Sequence, residues 1–161
     1  MNGILQNDRV VLVPLSDADA GAFYAIYADP VISVRFGNDL FLPGETALAF
    51  TRRIAAQCAR IYTIRETAHP ETIIGDCALH HYDAEKQEAQ IGGTLLPQYQ
   101  GKKRMTAAFT LLFAVAKQEL HVHTLIGATQ NGNEAAIRLA ESLGFTRQKE
   151  DDDTLYLRKT L

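Results

Sequence analysis

At 161 residues with 47% hydrophobic content, the chain has the size of one domain, expected to span residues 1–161 and to bury roughly two-thirds of its unfolded surface. Its 16 Lys and Arg against 19 Asp and Glu give a net charge of −3, without the basic excess of a nucleic-acid-binding domain, so no nucleic-acid partner is expected. No apolar run spans a bilayer, no charged-then-apolar leader opens the chain, and Cys58 and Cys77 lack C-x-x-C spacing, which together point to a cytoplasmic protein with reduced thiols and no membrane contact.

The β-branched run Arg9-Val10-Val11-Leu12-Val13 predicts a strand that Pro14 ends. Ser16 caps a predicted helix in which Ala22, Phe23, Ile26 and Tyr27 recur at helical spacing. Asp17 and Asp19 fall in its first turn, where negative charge suits the helix dipole. A second helix is predicted over residues 45–57, behind Pro43-Gly44. Residues 60–65, 73–82 and 89–96 then read as three strands joined by turns at 67–70 and 83–87. Connections this short allow no crossover, so the three strands form an antiparallel meander.

The third strand runs into Leu95-Leu96-Pro97-Gln98-Tyr99-Gln100-Gly101-Lys102-Lys103-Arg104-Met105-Thr106. Pro97 stops the strand, and Gly101 permits a backbone conformation that other residues adopt at a cost. A long helix is predicted over residues 102–120, with Met105, Ala108, Phe109, Leu112 and Ala116 on its core face. A strand, a glycine turn and a helix start together suit an anion, because the first N–H groups of the helix are unpaired. Lys102, Lys103 and Arg104 add positive charge there. The stretch is neither a P-loop nor a dinucleotide fingerprint, since the required glycines and spacings are missing.

Residues 124–129 predict a strand parallel to the third meander strand, reached by a right-handed crossover. Asn133 opens a helix carrying Ala136, Leu139 and Leu143, which Gly144 stops, and two further strands close the chain, the last over 154–160. The expected fold is α+β, a mixed and largely antiparallel sheet with a central parallel pair and flanking helices.

Gln98-Tyr99-Gln100-Gly101-Lys102-Lys103 resembles the pyrophosphate loop of the GNAT N-acetyltransferases, Gln/Arg-x-x-Gly-x-Gly/Ala, with Lys103 in the small-residue position. The segment from Asn133 to Phe145 is similar to that family's Asn-x-Ala-Ser helix ending in Gly-Phe. Asp8 to Leu15 and Ala89-Gln90-Ile91-Gly92 resemble the branch that acetylates ribosomal-protein N-termini.

The resemblance implies acetyl-CoA as acyl donor and a small-molecule or peptide amine as acceptor, with no metal. It implies that the backbone of Leu95 and Leu96 pairs with the pantetheine arm. The pyrophosphate would rest on Gln98 and on the turn from Gln100 to Thr106, and Asn133 would reach the cofactor near the thioester or serve as a helix cap. The acceptor would contact the first two helices and the loop at 36–41. Oligomeric state, a homodimer included, is left open.

Acetyl transfer needs a neutral amine and hence a proton acceptor. The family's glutamate in Ala-Glu-Ile-Gly is Gln90 here, its serine is Ala136 and its tyrosine is Ala140, so three familiar acid/base positions are inert. A meander turn centred near Glu85 places His80 opposite Gln90, on the same face, with His81 on the other. His80 is therefore the candidate base and Gln90 its neighbour, the alternative for His80 being an exposed strand-end residue. His121-x-His123 lacks further metal-site ligands, so no zinc is expected. The competing expectation is a non-catalytic acyl-CoA-binding or regulatory protein on the same fold.

Overall fold

The computed structural model describes residues 3–161. Eight strands form one sheet in the order β1-β2-β3-β4-β5-β6-β8-β7. They are β1 (Leu5–Gln6), β2 (Val10–Pro14), β3 (Cys58–Glu66), β4 (His69–Asp83), β5 (Glu88–Leu95), β6 (Thr124–Gln130), β7 (Thr146–Asp151) and β8 (Thr154–Thr160). Every neighbouring pair is antiparallel except β5 and β6, which the crossover helix α4 (Arg104–Gln118) joins in parallel. The helices α1 (Ala20–Ala28), α2 (Pro30–Phe36) and α3 (Ala47–Ala56) lie between β2 and β3, and α5 (Glu134–Ser142) lies between β6 and β7. The mixed, mostly antiparallel sheet with one central parallel pair is the expected architecture.

Helices on both faces bury β4 completely over residues 74–79, which explains why its apolar stretch is continuous rather than alternating. Cys77 and Leu79 belong to the larger core, with Leu112, Val115 and Ala116 of α4, Ile137 of α5, and Val10, Leu12, Ile64, Ile91 and Leu125 of the sheet. Ala78 faces the opposite way, into a smaller core with Phe23 of α1, Phe50 of α3 and Ile61. Three of the α4 residues expected on the core face, Ala108, Leu112 and Ala116, are fully buried, while Met105 and Phe109 pack at its edge. The aromatic rings of Phe23, Tyr24, Tyr27, Phe41 and Phe50 interlock over the second core, with centroids 4.7–5.8 Å apart.

Two elements lie outside the sequence expectation. Strand β1 adds an edge to β2, Leu5 pairing with Leu12. Helix α2 forms where no helix was predicted, because Pro30 sits at its first turn and the Asp29 carboxylate accepts from the Val31 N–H at 2.9 Å. Helix α4 begins at Arg104 rather than at residue 102. Lys103 is its N-cap in the left-handed region (φ 61°), so Lys102 and Lys103 belong to the turn.

Candidate functional site

β5 and β6 pair over only three positions, Glu88 with Thr124, Ala89 with Leu125 and Gln90 with Ile126. Beyond Gln90 the strands diverge, although β5 runs on to Leu95 and β6 to Gln130. The result is a notch between parallel strands whose facing backbone groups have lost their ladder partners. Backbone groups of β5 alternate between its two neighbours. Ala89 faces β6, whereas the Leu96 N–H bonds to the Ile74 carbonyl of β4 at 2.9 Å, so Ile91, Gly93 and Leu95 face the notch.

That placement revises the roles expected of Leu95 and Leu96. The Leu96 carbonyl accepts from the Tyr99 N–H at 2.9 Å, so both backbone groups of Leu96 are already committed. The Leu95 carbonyl accepts from Gln100 Nε2 at 3.0 Å, which turns the Gln100 side chain into the notch. Gly93 is required where it stands. A Cβ there would lie 2.8 Å from the Met105 sulfur and 3.0 Å from the Asp76 carbonyl oxygen.

The turn at the head of the notch has the conformation its sequence calls for. Gly101 takes φ 84° with open space around it, and Lys103 follows at φ 61°. The first intrahelical bond of α4 runs from the Ala107 N–H to the Lys103 carbonyl at 3.0 Å. The N–H groups of Arg104, Met105 and Thr106 consequently have no intrahelical acceptor and mark the positive end of a 15-residue helix. Gln98 is exposed on the short 3-10 turn Pro97–Tyr99.

Arg104 differs from its expected role as a free cation. Its guanidinium grips Glu66 Oε2 at 2.8 and 3.1 Å, donates to the Tyr99 carbonyl at 3.0 Å and lies over the Tyr99 ring. The side chain therefore braces the turn against β3, leaving its N–H to the helix start. Arg9 stands in for the lost cation, with Nη1 3.5 Å from the Lys102 carbonyl. The positive cluster is thus Lys102, Lys103 and Arg9. Asn133 caps α5, its Oδ1 accepting from the Ala136 N–H at 3.2 Å, beside the β6 end of the notch.

On the α1 face of the sheet, His80 and Gln90 stand directly opposite each other, the register the sequence predicts. Residue pairs in register share a face, so Ala78 with Gly92 and Asp76 with Thr94 continue the same row. His80 Nε2 leans over β5, 3.3 Å from where a Cβ on Gly92 would sit. Burial, and next the neighbouring His81, lower the His80 pKa below its ordinary 6.5, so the ring is neutral at physiological pH.

His81 does not point to the opposite face. Its positive φ of 49° and a break in register between His80 and Asp83 swing its ring beside His80, with the two Nδ1 atoms 2.7 Å apart.

Sequence reasoning missed Asp76 and Tyr27. Asp76 is 3% exposed, its Oδ2 has no hydrogen-bond partner, and burial raises its pKa to about 7. Tyr27 of α1 lies beside Asp76 and Thr94, and burial, then the Asp76 charge, hold its own proton well above the usual tyrosine range. The one signal in the sequence was an aspartate inside an otherwise apolar strand, Ile73-Ile74-Gly75-Asp76-Cys77-Ala78-Leu79.

The acetyltransferase (GNAT) domain family matches residues 9–146. An uncharacterized N-acetyltransferase of Bacillus subtilis, YoaA, is 22% identical over 148 residues, 90% of this chain and 84% of that protein. Among solved structures, the ribosomal-protein-S5-alanine acetyltransferase of Vibrio fischeri superimposes with a TM-score of 0.76 at 15% identity, over 98% of this chain and 96% of the other. RimJ of Mycobacterium smegmatis, solved in complex with CoA-disulfide, superimposes with a TM-score of 0.75 at 15% identity, over 94% of this chain and 81% of the other. With the notch, the cationic turn and the long crossover helix in this order, and a family match over most of its length, the chain belongs to the GNAT acetyltransferase family.

Proposed function

We propose that the protein transfers the acetyl group of acetyl-CoA to a primary amine by direct attack within a ternary complex. The observation that carries this reading is the divergence of β5 and β6 beyond Gln90, which opens against the N–H-rich turn at Gly101. An amide-rich pantetheine arm pairs there like an added strand with the notch-side groups of Ile91, Gly93 and Leu95. Leu95 releases the Gln100 side chain as it does so. The pyrophosphate rests on the backbone from Gly101 to Thr106, held by Lys102, Lys103 and Arg9, and Asn133 closes the thioester end.

The amine approaches from the α1 face, over Gly92 and between His80 and Gln90. The neutral His80 ring accepts a proton through Nε2 while its Nδ1 is held against His81. Gln90 orients the amine or a water but takes no proton. Nucleophilic cysteine plays no part, because burial pushes the Cys58 thiol up to about 11 and the Cys77 thiol well above its ordinary value. Next to the aromatic cluster, a cavity of about 390 Å³ lined by Ser33, Val34, Gly37, Asn38 and Phe41 offers room for the rest of a small-molecule or peptide acceptor.

The test is release of CoA thiol from acetyl-CoA against a panel of alkylamines, diamines, aminoglycosides and peptides with free N-termini. Turnover above blank hydrolysis is expected for at least one class. His80→Ala should slow that reaction by about a hundredfold and remove a pH limb lying below the ordinary histidine range. CoA binding without any turnover would favour a non-catalytic acyl-CoA-binding protein instead.

A further inference from the structure

Removal of one carboxylate from a proton-handling site leaves chemistry that some other group must perform, and the sheet carries an unassigned carboxylate close by. Position 90 is an inert glutamine, yet Asp76 lies on the same face of the adjacent strand, opposite Thr94. Thr94 borders the notch two residues along β5 from Gly92, over which the amine is proposed to approach, so Asp76 stands one strand back from the proposed path of the donor.

The surroundings of Asp76 fit a proton acceptor better than a structural anchor. A buried structural aspartate normally spends both oxygens on hydrogen bonds or an ion pair. Among the described residues no ion pair reaches Asp76, and its Oδ2 is fully enclosed without a partner. The nearby cation of β3, Arg65, is committed to Asp19 at 3.3 Å, and Arg60 is paired with Glu119.

The groups facing Asp76 are few. Thr63 of β3 is paired in register with it but donates to the Val13 carbonyl. Cys58 of β3 is held as a neutral thiol, as is Cys77, the next residue of β4, whose side chain lies in the core on the opposite face. Thr94 of β5 and Tyr27 of α1 complete the set, and His80 and His81 lie further along β4. Tyr27, a half-buried residue where Asp76 is enclosed, sets its buried phenol beside Asp76 and Thr94.

We propose that Asp76, reached through the phenol of Tyr27, is a second proton acceptor for the amine during acetyl transfer. The inference rests on the acetyl-transfer reading. The nitrogen of a protonated amine must lose two protons, one before it attacks and one from the adduct. His80 takes the first. The nitrogen lone pair bonds the thioester carbonyl carbon, and the tetrahedral adduct passes its extra proton to Tyr27 Oη as Tyr27 passes its own to Asp76. The C–S bond then breaks, its electron pair leaving on the CoA sulfur. The products are an amide, CoA thiolate, protonated His80 and protonated Asp76, and solvent or the thiolate takes up both protons. Burial favours the protonated aspartate, and an acid of about 7 recovers its charge at neutral pH.

The experiment is the pH profile of kcat and kcat/KM for Asp76→Asn, Tyr27→Phe and the wild-type protein, with acetyl-CoA and the fastest amine of the panel. The wild type should show a rising limb near pH 7 in addition to the lower limb from His80. Asp76→Asn, close in shape, should lose the upper limb, keep the lower one and slow kcat by about tenfold or more with the KM for acetyl-CoA unchanged. Tyr27→Phe keeps its ring in the aromatic cluster and should reproduce the loss, which covers the case in which the Asp76 variant does not fold. An upper limb that survives in either folded variant overturns the proposal while leaving acetyl transfer intact. CoA binding with no turnover on any amine overturns both readings.

Discussion

In the proposed anion turn, Gly101 supplies backbone freedom and Lys103 supplies charge. Gly101 sits at φ 84° with nothing near its missing Cβ, so Gly101→Val creates no clash inside the fold. Its cost is the backbone conformation and the loss of a close approach by phosphate. CoA affinity should fall by at least about tenfold, roughly 1.4 kcal/mol, in a titration with the folded variant. Lys103, also left-handed at φ 61°, is the departure from the family's small residue. Lys103→Gly relieves backbone strain of about 1 kcal/mol while removing one cation. The variant should melt no lower than the wild type, and its CoA affinity should vary less between low and high salt. Tighter binding at every ionic strength would mean that the lysine hinders the donor.

At this scale the sequence was readable where a residue's role is local. The glycine at 101 announced a left-handed turn, and Asn133 in front of an apolar-periodic run announced a cap. Roles that depend on distant partners were not readable. Arg104 looked free until Glu66, 38 positions away, was brought beside it, and Arg9 gained its place at the turn across 93 positions. Asp76 gave a composition signal but no function, because its enclosure depends on α1 folding over β4.

Among the elements, the β4–β5 hairpin does most to position the proposed site, since its register sets which side chains share the α1 face with His80 and Gln90. That register was legible because the turn at 83–87 is short and fixes His80 against Gln90. The exception was local. A left-handed His81 breaks the alternation, which no count of residues around the turn could reveal. Helix α2 is not legible in the sequence although Asp29-Pro30 carries both a cap and an N-terminal proline, because seven residues show too little periodicity.

Gly75 tests the hairpin directly. A Cβ there would run into the Thr94 carbonyl oxygen and crowd Leu95, so Gly75→Ala must push the two strands apart. A loss of about 1–3 kcal/mol in denaturant unfolding is expected, as for other overpacked core positions. Unfolding with an unchanged midpoint would show that β4 and β5 do not meet in this register.

The whole molecule is a sheet interrupted at one seam. Its left half, β1 to β5, carries the proposed acceptor face and the aromatic helices. Its right half, β6 to β8 with α5, closes the other side of the notch. The meander and the parallel step could be read from the chain, since the β3–β4 and β4–β5 connections are too short for a crossover and a strand–helix–strand unit joins β5 to β6, whereas the long, helix-bearing β2–β3 and β6–β7 connections leave their pairing open. The divergence at the seam could not, because it depends on where pairing stops and not on which residues form strands. On the proposed reading, a notch open from both sides suits two substrates present together, the donor along β5 and the amine from the α1 side.

The most direct test of that account is an initial-rate matrix in which acetyl-CoA and the fastest amine are varied together, with the N-acetylated product identified by mass spectrometry. Direct transfer in a ternary complex predicts reciprocal plots that intersect. Parallel plots, the signature of an acetylated enzyme formed before the amine binds, would contradict it.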